Sequence, residues 1–445
     1  MKALGHTRAT QYTRRFRIPQ DGFMNDSRPV VVIGGGLVGV CTAAYLQRAG
    51  HAVVIVDRQS ARQAASLGNA GCINGSSVVP IAMPGVLWQV PGWLMQPDGP
   101  LVLRWSYLPR MVPWLMRFVA ASQPARVAAQ ARALRALLGP ALDAYQPLLD
   151  DAQANDLVTR RGYLIAYSSE RGMRGDEGGM ALRRENGVHI ETLDAAALRE
   201  FEPTLSHEFV GARYIGETGH TLDPGALLAR LTAQVIARGG RVVDASATAI
   251  ETNGAHAVAV HSDAGREAAG AVVVAAGAWS APFARQLGDS IVFDTERGYH
   301  VEIASPQTMP SRPVMWAEGK LFATPMNGRL RGAGTVELAG LQAPPNWRRA
   351  DLLLDQLHKM FPGAVAGAKP SQSVDGARWQ GFRPSTPDSL PVVGAASKVP
   401  NAFYAFGHGH VGLTAAASTG RTIAALVSGE RPDIDLSPFS IGRFR

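Results

Sequence analysis

The chain has 445 residues, enough for about two to three domains with a large apolar core. It contains no run of about 18 or more uncharged apolar residues, which argues against a transmembrane helix. The net charge is +8, but residues 1–23 alone hold five basic residues against one acidic residue, so the rest of the chain is not basic enough to indicate nucleic-acid binding.

We expect residues 1–27 to form a disordered basic tail, because the first 23 residues are polar and lack the apolar core of a secretory signal. Two isolated cysteines, Cys41 and Cys72, do not make a disulfide framework and fit a reducing compartment. No histidine or cysteine spacing indicates a metal. We therefore predict a cytoplasmic protein without a metal, with the inner face of the cell membrane as a second possible location.

The first structural unit is a dinucleotide-binding fingerprint. An apolar strand at residues 30–33 leads into GGGLVG and a helix over 37–49, and a second strand at 53–56 ends in Asp57. In this arrangement Gly34 makes the tight turn, Gly36 admits a pyrophosphate and Gly39 packs the helix on the sheet, while Asp57 accepts hydrogen bonds from a ribose. The predicted cofactor contacts in this unit are Gly34, Gly36, Leu37, Val38, Gly39, Asp57 and Arg58.

Residues 78–120 are rich in tryptophan, methionine, proline and arginine. One interpretation is a set of helices and loops that cover a substrate pocket. The other is a face that contacts a membrane peripherally, since tryptophan and arginine both suit the headgroup region.

The remaining elements predict an α/β fold. The elements follow in this order: a helical stretch at 124–150, a strand at 162–167, a helix from Asp194, a helix from Asp223–Pro224 to Arg238, strands at 241–244 and 271–275, strands with turns over 291–338, and a final strand–loop–helix unit. The nucleotide-binding segments are separated, which favours FAD over NAD because a cofactor of that length needs distant segments.

We therefore predict a discontinuous Rossmann-like FAD-binding domain, formed by residues 28–85, 205–285 and 376–445. Residues 86–204 and 286–375 are predicted to form a substrate domain of α+β type, with a mixed sheet and an inserted helical region.

Two C-terminal motifs are more specific. Residues 381–394 read GFRPSTPDSLPVVG, and residues 406–414 read FGHGHVGLT. Together with residues 69–71 and 275–279, they resemble the D-amino-acid oxidase and dehydrogenase family of FAD enzymes, which also includes glycine and sarcosine oxidases. The resemblance covers about residues 28–440 and is strongest to bacterial D-amino-acid dehydrogenases, including those that act on hydroxy-D-proline.

This resemblance implies the contacts of the flavin end of FAD. Small residues let the backbone approach the ring, and a helix from about Thr414 directs its N-terminus at the ring edge that gains negative charge on reduction. The implied contacts are Ser66, Asn69, Ala70, Gly71, Ala276, Gly277, Trp279, Gly407, Gly409, His410, Val411, Gly412, Leu413 and Thr414. Non-covalent FAD is expected, because no cysteine follows Cys72 near the C-terminal loop, where some sarcosine oxidases attach the cofactor.

The resemblance also implies the substrate contacts. Arg383 would pair with the substrate carboxylate, which suits a planar guanidinium; the alternative is a surface arginine in a proline-rich turn. Tyr299 and His410 are candidate second carboxylate ligands, and His300 is a candidate contact of substrate or flavin. Strand packing is the alternative for Tyr299 and His300, and loop shaping for His410. His408 is expected to be structural.

The implied activity is that of a FAD-dependent D-amino acid dehydrogenase. Hydride would pass from the substrate Cα to flavin N5, and the resulting imine would hydrolyse to a 2-oxo acid. The expected substrate is a neutral D-amino acid or a D-proline-type imino acid. Oxygen-using sarcosine oxidases place a lysine near the flavin, whereas residues 329–335 here have none; this favours a quinone or another acceptor over oxygen. A glycine- or sarcosine-type oxidase, a non-catalytic FAD-binding subunit and an NAD-linked dehydrogenase stay as alternatives.

Overall fold

The computed structural model describes residues 28–58, 64–85, 99, 101–365 and 378–445. The predicted basic tail lies outside the described residues, as do residues 86–98 and 100 of the tryptophan-rich segment. The strands are β1 Val30–Ile33, β2 Val53–Asp57, β3 Cys72–Ile73, β4 Leu101–Leu103, β5 Val158–Thr159, β6 Tyr163–Tyr167, β7 Glu191–Asp194, β8 Gly211–Ile215, β9 Gly219–Thr221, β10 Arg241–Asp244, β11 Ala247–Thr252, β12 Ala257–Ser262, β13 Gly265–Ala268, β14 Ala271–Val274, β15 Asp294–Ala304, β16 Val314–Trp316, β17 Leu321–Met326, β18 Arg329–Leu338, β19 Arg378–Ser385, β20 Val392–Ala395 and β21 Ala402–Phe406.

The helices alternate with these strands along much of the chain. They are α1 Leu37–Arg48, α2 Leu108–Ala121, α3 Pro124–Leu138, α4 Ala141–Asp151, α5 Glu170–Gly175, α6 Glu177–Glu185, α7 Ala195–Phe201, α8 Pro224–Ala237, α9 Ala281–Gln286, α10 Arg348–Met360, α11 Pro362–Val365 and α12 Gly412–Val427. The predicted cap of α8 is present: the Asp223 carboxylate accepts hydrogen bonds from the backbone N–H groups of Gly225 and Ala226, at 2.9 and 3.0 Å.

A six-stranded sheet has the order β10-β2-β1-β14-β21-β20. Its strands are parallel from β10 to β21, and β20 is antiparallel to β21. All four residues of β1 are buried, as expected for a central parallel strand covered on both faces. Val32 packs with α1 and α12 on one face, and Val31 packs with β11, β12 and α9 on the other. These layers confirm the predicted Rossmann-like architecture.

A nine-stranded mixed sheet has the order β19-β15-β18-β17-β16-β6-β8-β7, with β4 beside β18. The β16–β6 and β18–β4 pairs are parallel, and the remaining pairs are antiparallel. Helix α10 covers one face, where Leu353 and Leu357 pack with Val301 and Leu330. The mixed sheet and the helical insertion α2–α4 agree with the predicted fold class.

The large sheet extends beyond the predicted domain boundaries. Strands β8 and β19 pair within it, although the prediction assigned residues 205–285 and 376–445 to the FAD-binding domain. The chain passes from β19 in the large sheet to β20 in the six-stranded sheet through only six residues, 386–391. Local sequence pattern does not show which sheet a strand joins, so the sequence does not mark that crossing.

Gly420 allows α12 to pack closely on α1. An added Cβ would lie 2.7 Å from the carbonyl group of Cys41 and 2.9 Å from the backbone nitrogen of Thr42. Gly420→Ala is therefore expected to lower the free energy of unfolding by about 1–3 kcal/mol, as overpacking of a core does. Gly178→Ala, in α6, meets no atom within 4 Å and is expected to change stability by less than about 1 kcal/mol. Urea unfolding of both variants measures the difference, and equal midpoints would contradict the proposed close packing.

Candidate active site

A cavity of about 940 Å³ runs from the carboxyl edge of the six-stranded sheet to residues of β15 and β19. The carboxyl ends of β1, β2, β14 and β21 meet at this edge because those strands are parallel, which is where α/β sheets bind ligands. The residues on its wall include Gly34, Gly36, Leu37, Val38, Asp57, Arg58, Ser66, Asn69, Ala70, Ala276, Gly277, Trp279, Glu296, Gly298, Lys320, Arg383 and His408–Thr414.

The fingerprint glycines have the steric roles that the sequence predicts. Gly34 has a φ of +112°, and a Cβ there would overlap the carbonyl group of Ala275. A Cβ on Gly39 would overlap the carbonyl oxygen of Gly34, so Gly39 packs α1 on the turn and does not border the cavity. A Cβ on Gly36 would meet only Ser66 Oγ, at 3.3 Å. Gly36 is therefore open on its cavity side, as a phosphate site at a helix N-terminus requires.

Asp57 lies beside this turn. Its Oδ2 accepts a hydrogen bond from Gly35 N at 2.6 Å, and burial raises the pKa of its carboxyl, against the opposing effect of that hydrogen bond. The neighbouring Arg58 guanidinium stacks 4.4 Å from the centre of the Trp279 ring. All three side chains border the cavity, and a carboxylate at the end of β2 is placed to accept from ribose hydroxyls.

Side chains of the large sheet hold the loop of residues 64–71 in place through hydrogen bonds. Arg331 Nη1 donates to the carbonyl oxygen of Asn69 at 2.6 Å, and His300 Nδ1 donates to that of Gly68 at 3.1 Å. Asn69 Oδ1 in turn accepts from Gly71 N at 2.8 Å. Gly71 supports the loop from behind and does not border the cavity. Ser66, Asn69 and Ala70 are thereby fixed on the cavity wall.

The C-terminal motif forms the opposite wall. Gly407 and Gly409 have φ values of +82° and +52°, which turn the chain from β21 into α12. Helix α12 begins at Gly412, two residues before the predicted start, and Thr414 Oγ1 donates to Cys72 O at 3.1 Å. Gly407 shapes the turn without bordering the cavity, whereas the following residues line it. The helix N-terminus therefore faces the cavity.

Arg383 reaches across the large sheet into this cavity. A Cβ on Gly298 would overlap its guanidinium, so only glycine lets the side chain cross β15. Arg383 Nη1 donates to the carbonyl oxygen of Thr335 at 3.0 Å, and its other N–H groups have no acceptor in the described parts of the chain. Burial lowers the pKa of Arg383, and Glu296 opposes that shift. The guanidinium is thus fixed, charged and open to an anion on one side.

His410 faces the same part of the cavity. Its ring is accessible from the cavity although protein surrounds it, and burial, followed by the charge of Arg383, lowers its pKa to about 4. His410 is therefore neutral near pH 7. His408 bonds through Nε2 to Thr419 Oγ1 at 3.0 Å, which fits the structural role expected for it.

Tyr299 and His300 lie differently from the prediction. Tyr299 is 1% exposed, and its hydroxyl donates to Glu337 Oε2 at 2.5 Å and accepts from Asn346 N at 2.9 Å, so it is not free for a carboxylate. His300 does not border the cavity; it stacks on Trp379 with ring centres 5.2 Å apart and fastens the 64–71 loop. Tyr299 thus borders the cavity with its hydroxyl already engaged, and His300 supports the loop from behind the cavity wall.

Two charged residues of the cavity wall, Glu296 and Lys320, were not predicted from the sequence. Residues 329–335 contain no lysine, and Arg331 within them pairs with Glu302 at 2.6 Å. The structure brings a lysine to the cavity from the turn before β17 instead. The absence of lysine from one stretch of sequence therefore does not distinguish the two acceptors.

The buried histidines predict a pH dependence of stability. Burial, with Arg331 nearby, lowers the pKa of His300 to about 3, whereas an unfolded histidine titrates near about 6.5. Between these values the unfolded state binds more protons, so stability falls as the pH falls, by up to about 1.4 kcal/mol per pH unit for each such histidine. His300→Asn keeps an N–H donor for Gly68 and is expected to make that decline shallower.

The measurement is the free energy of unfolding between about pH 6.5 and pH 4, because this window lies within the pKa difference cited for His300. The matched control is His207→Asn, an exposed histidine, which is expected to keep the wild-type slope. A His300→Asn variant with an unchanged slope would show that His300 is charged in the folded protein.

The residues present fit FAD. Gly36 and the N-terminus of α1 would hold the pyrophosphate, and Asp57 a ribose. The loop of residues 64–71 and the N-terminus of α12 would hold the flavin. The cavity is continuous between these groups, as a cofactor of this length needs.

The sequence matches the family of FAD dependent oxidoreductases that includes D-amino-acid oxidases, over residues 29–426, and the chain belongs to that family. FAD is accordingly its cofactor. The chain is 43% identical to a D-amino-acid oxidase of Bradyrhizobium diazoefficiens, over 95% of this chain and 100% of that protein. It is 32% identical to a D-amino acid dehydrogenase of Dechloromonas aromatica, over 91% and 98% of the two chains.

Solved structures show the same fold. A glycine oxidase from Bacillus cereus superposes with a TM-score of 0.69 at 20% identity, over 91% of this chain and 96% of that one. An L-proline dehydrogenase from P. horikoshii also superposes with a TM-score of 0.69, at 16% identity, over 94% and 97% of the two chains. The predicted family, fold and cofactor are thus confirmed.

Proposed function

We propose that the protein oxidises D-amino acids, taking hydride from Cα and giving an imine that hydrolyses to a 2-oxo acid. The observation that carries this proposal is the fixed guanidinium of Arg383, which crosses Gly298 into the FAD cavity with free N–H groups. Relatives named D-amino-acid oxidase and D-amino acid dehydrogenase, at 43% and 32% identity, support the same activity.

The chain's own residues would position the substrate. Arg383 holds the carboxylate through two parallel hydrogen bonds, and neutral His410 donates one more without adding charge. This anchoring fixes Cα beside the flavin, and such positioning is a large part of catalysis by flavoenzymes. Bound FAD supplies the acceptor for the hydride.

The substrate side chain would lie among apolar residues. The cavity wall beyond Arg383 includes Leu101, Leu103, Val336 and Leu338. These aliphatic surfaces favour a neutral side chain or the ring of a D-proline-type imino acid.

A membrane quinone is the electron acceptor that we favour. Helix α2 and the turn before it expose Trp105 and Met116, at 69% and 68%, while Leu108 and Leu115 of the same helix border the cavity. An apolar exposed helix next to the cofactor cavity suits peripheral contact with the cytoplasmic face of a membrane. In the described parts of the chain, no helix is long and apolar enough to cross a membrane. Oxygen is the rival acceptor, supported by the relative named an oxidase and by Lys320.

Anaerobic mixing of the yellow protein with single D- and L-amino acids, D-hydroxyproline, glycine and sarcosine tests the proposal. Loss of flavin absorbance with D-amino acids is the expected result. Bleaching by glycine or sarcosine alone would assign the other oxidase class, and no bleaching by any amine would indicate a non-catalytic FAD-binding subunit. Hydrogen peroxide formed at the rate of turnover would identify oxygen as the acceptor, whereas turnover that needs a quinone would exclude it.

A further inference from the structure

Glu296 is a buried carboxylate at the substrate end of the cavity. It lies on β15 as the cross-strand neighbour of Arg383, is 5% exposed and borders the cavity. Among the described residues of the cavity wall, the other acidic side chain is Asp57, beside the fingerprint. Glu296 therefore supplies the negative charge nearest to the proposed carboxylate anchor.

One oxygen of this carboxylate is engaged and the other is free. Ser385 Oγ donates to Oε1 at 2.5 Å and so fixes the orientation of the carboxyl group. Within the described chain no group donates to Oε2, and Glu296 makes no ion pair with Arg383. The free oxygen is therefore available to a donor on a ligand bound in the cavity.

An amino acid zwitterion has the complementary charges. Its carboxylate and ammonium groups are bonded to the same carbon, so a site that binds one must accommodate the other within a few ångströms. Arg383 would meet the negative group, and Glu296 is the acid beside it. An ammonium next to Arg383 without such a partner would be desolvated and repelled.

We propose that Glu296 binds the substrate amino group and accepts its proton, an inference that rests on the proposed amino acid oxidation. An N–H bond of the ammonium breaks, an O–H bond forms at Oε2, and the electron pair stays on nitrogen. The Cα–H bond then breaks, with FAD as the two-electron oxidant that takes the hydride, while the lone pair forms the C=N bond of the iminium product. Deprotonation is required because an ammonium has no lone pair to expel hydride.

The titratable and charged groups that face Glu296 come from its own strand β15, from β19 and from the loop after β21. Burial raises the pKa of Glu296, while Ser385 and Arg383 on β19 lower it and Asp294 on β15 raises it further. From the loop after β21, His408 and His410 have pKa values lowered to about 3 and about 4. These histidines are neutral across the range in which a buried glutamate above its usual pKa titrates.

Glu296→Gln keeps the shape and the hydrogen bond from Ser385 but cannot accept the proton. The rate of anaerobic flavin reduction by D-alanine at neutral pH is expected to fall by about 100-fold or more, as loss of a general base does. The acidic limb of the pH profile should disappear, and the rate should rise until the ammonium of free D-alanine ionises. Binding of propionate, which has the carboxylate but no amine, should stay the same or tighten.

Two further variants separate this role from a structural one. Ser385→Ala leaves the carboxylate but removes a hydrogen bond that lowers its pKa, so the acidic limb should move to higher pH. Glu202→Gln removes a buried carboxylate that accepts a hydrogen bond from Ser311 Oγ and does not border the cavity, and it should keep the wild-type pH profile.

A yellow Glu296→Gln protein with the wild-type rate and pH profile would overturn the inference. Parallel losses of D-alanine reduction and propionate binding would also overturn it, because they would indicate a distorted Arg383. If the wild type is bleached by no D-amino acid, the proposed function itself fails, which is distinguishable from these outcomes.

Discussion

Replacing Arg383 with methionine is expected to lower kcat/KM for a D-amino acid by about 30-fold to several thousand-fold while FAD stays bound. Removing one partner of a buried, hydrogen-bonded charge pair costs about 2–5 kcal/mol, and each 1.4 kcal/mol is about tenfold. Arg383 contacts Thr335 and the free cavity rather than the fingerprint, so cofactor binding should persist. The measurement is steady-state kinetics beside the ratio of FAD to protein.

Two further variants test whether the loss is specific to the guanidinium of Arg383. Arg383→Lys keeps the charge but loses the planar fork, so an intermediate loss is expected. Arg378→Met, on the same strand, removes a guanidinium that pairs with Asp351 and does not border the cavity; its kinetics should match the wild type. Wild-type kcat/KM in Arg383→Met would remove this arginine from the substrate site.

Gly39→Ala is expected to give a protein with little or no FAD. The added methyl would overlap the carbonyl oxygen of Gly34, which is backbone, so α1 must move away from the turn. The N–H groups at its N-terminus would then leave the phosphate position. Overpacking of this kind also costs about 1–3 kcal/mol of stability. Flavin absorbance per protein and urea unfolding measure both effects.

Gly36→Ala separates the two effects. Its methyl would meet only Ser66 Oγ, at 3.3 Å, and otherwise face the cavity. The apoprotein should therefore keep near wild-type stability while FAD affinity falls. A stoichiometrically yellow Gly39→Ala protein would show that α1 tolerates the displacement.

The fingerprint was predictable because its glycines act locally. Whether a side chain fits at Gly34 or Gly39 depends on a turn only six residues long, and Asp57 follows directly from the next strand. The cap of α8 by Asp223 is local in the same way. The FAD-binding half of the site could thus be derived from sequence.

The substrate half depends on strand register, which the sequence alone does not give. Tyr299 borders the cavity, but its hydroxyl bonds to Glu337, whereas the side chain of His300 lies behind the cavity wall. Pairing of β15 with β19 puts Glu296 and Arg383 on the same face and sets Trp379 over His300. Glu296 was missed because its importance appears only when β19 is placed beside it.

The predicted domain boundaries do not coincide with the two sheets for a related reason. Strand β19 precedes β20 by a short connection but belongs to the other sheet. Long-range pairing decides this, and local pattern does not. The family resemblance locates the motifs in the sequence, but it does not indicate which sheet contains them.

Anaerobic reduction of the bound flavin by D-alanine, with hydrogen or deuterium at Cα and with L-alanine as control, tests whether a D-amino acid is oxidised beside FAD. Bleaching by the D-enantiomer, slowed by deuterium and absent with L-alanine, is the predicted result. A fully flavinated protein that no D-amino acid bleaches, or that bleaches equally with both enantiomers, would contradict an arginine-anchored D-amino acid beside FAD.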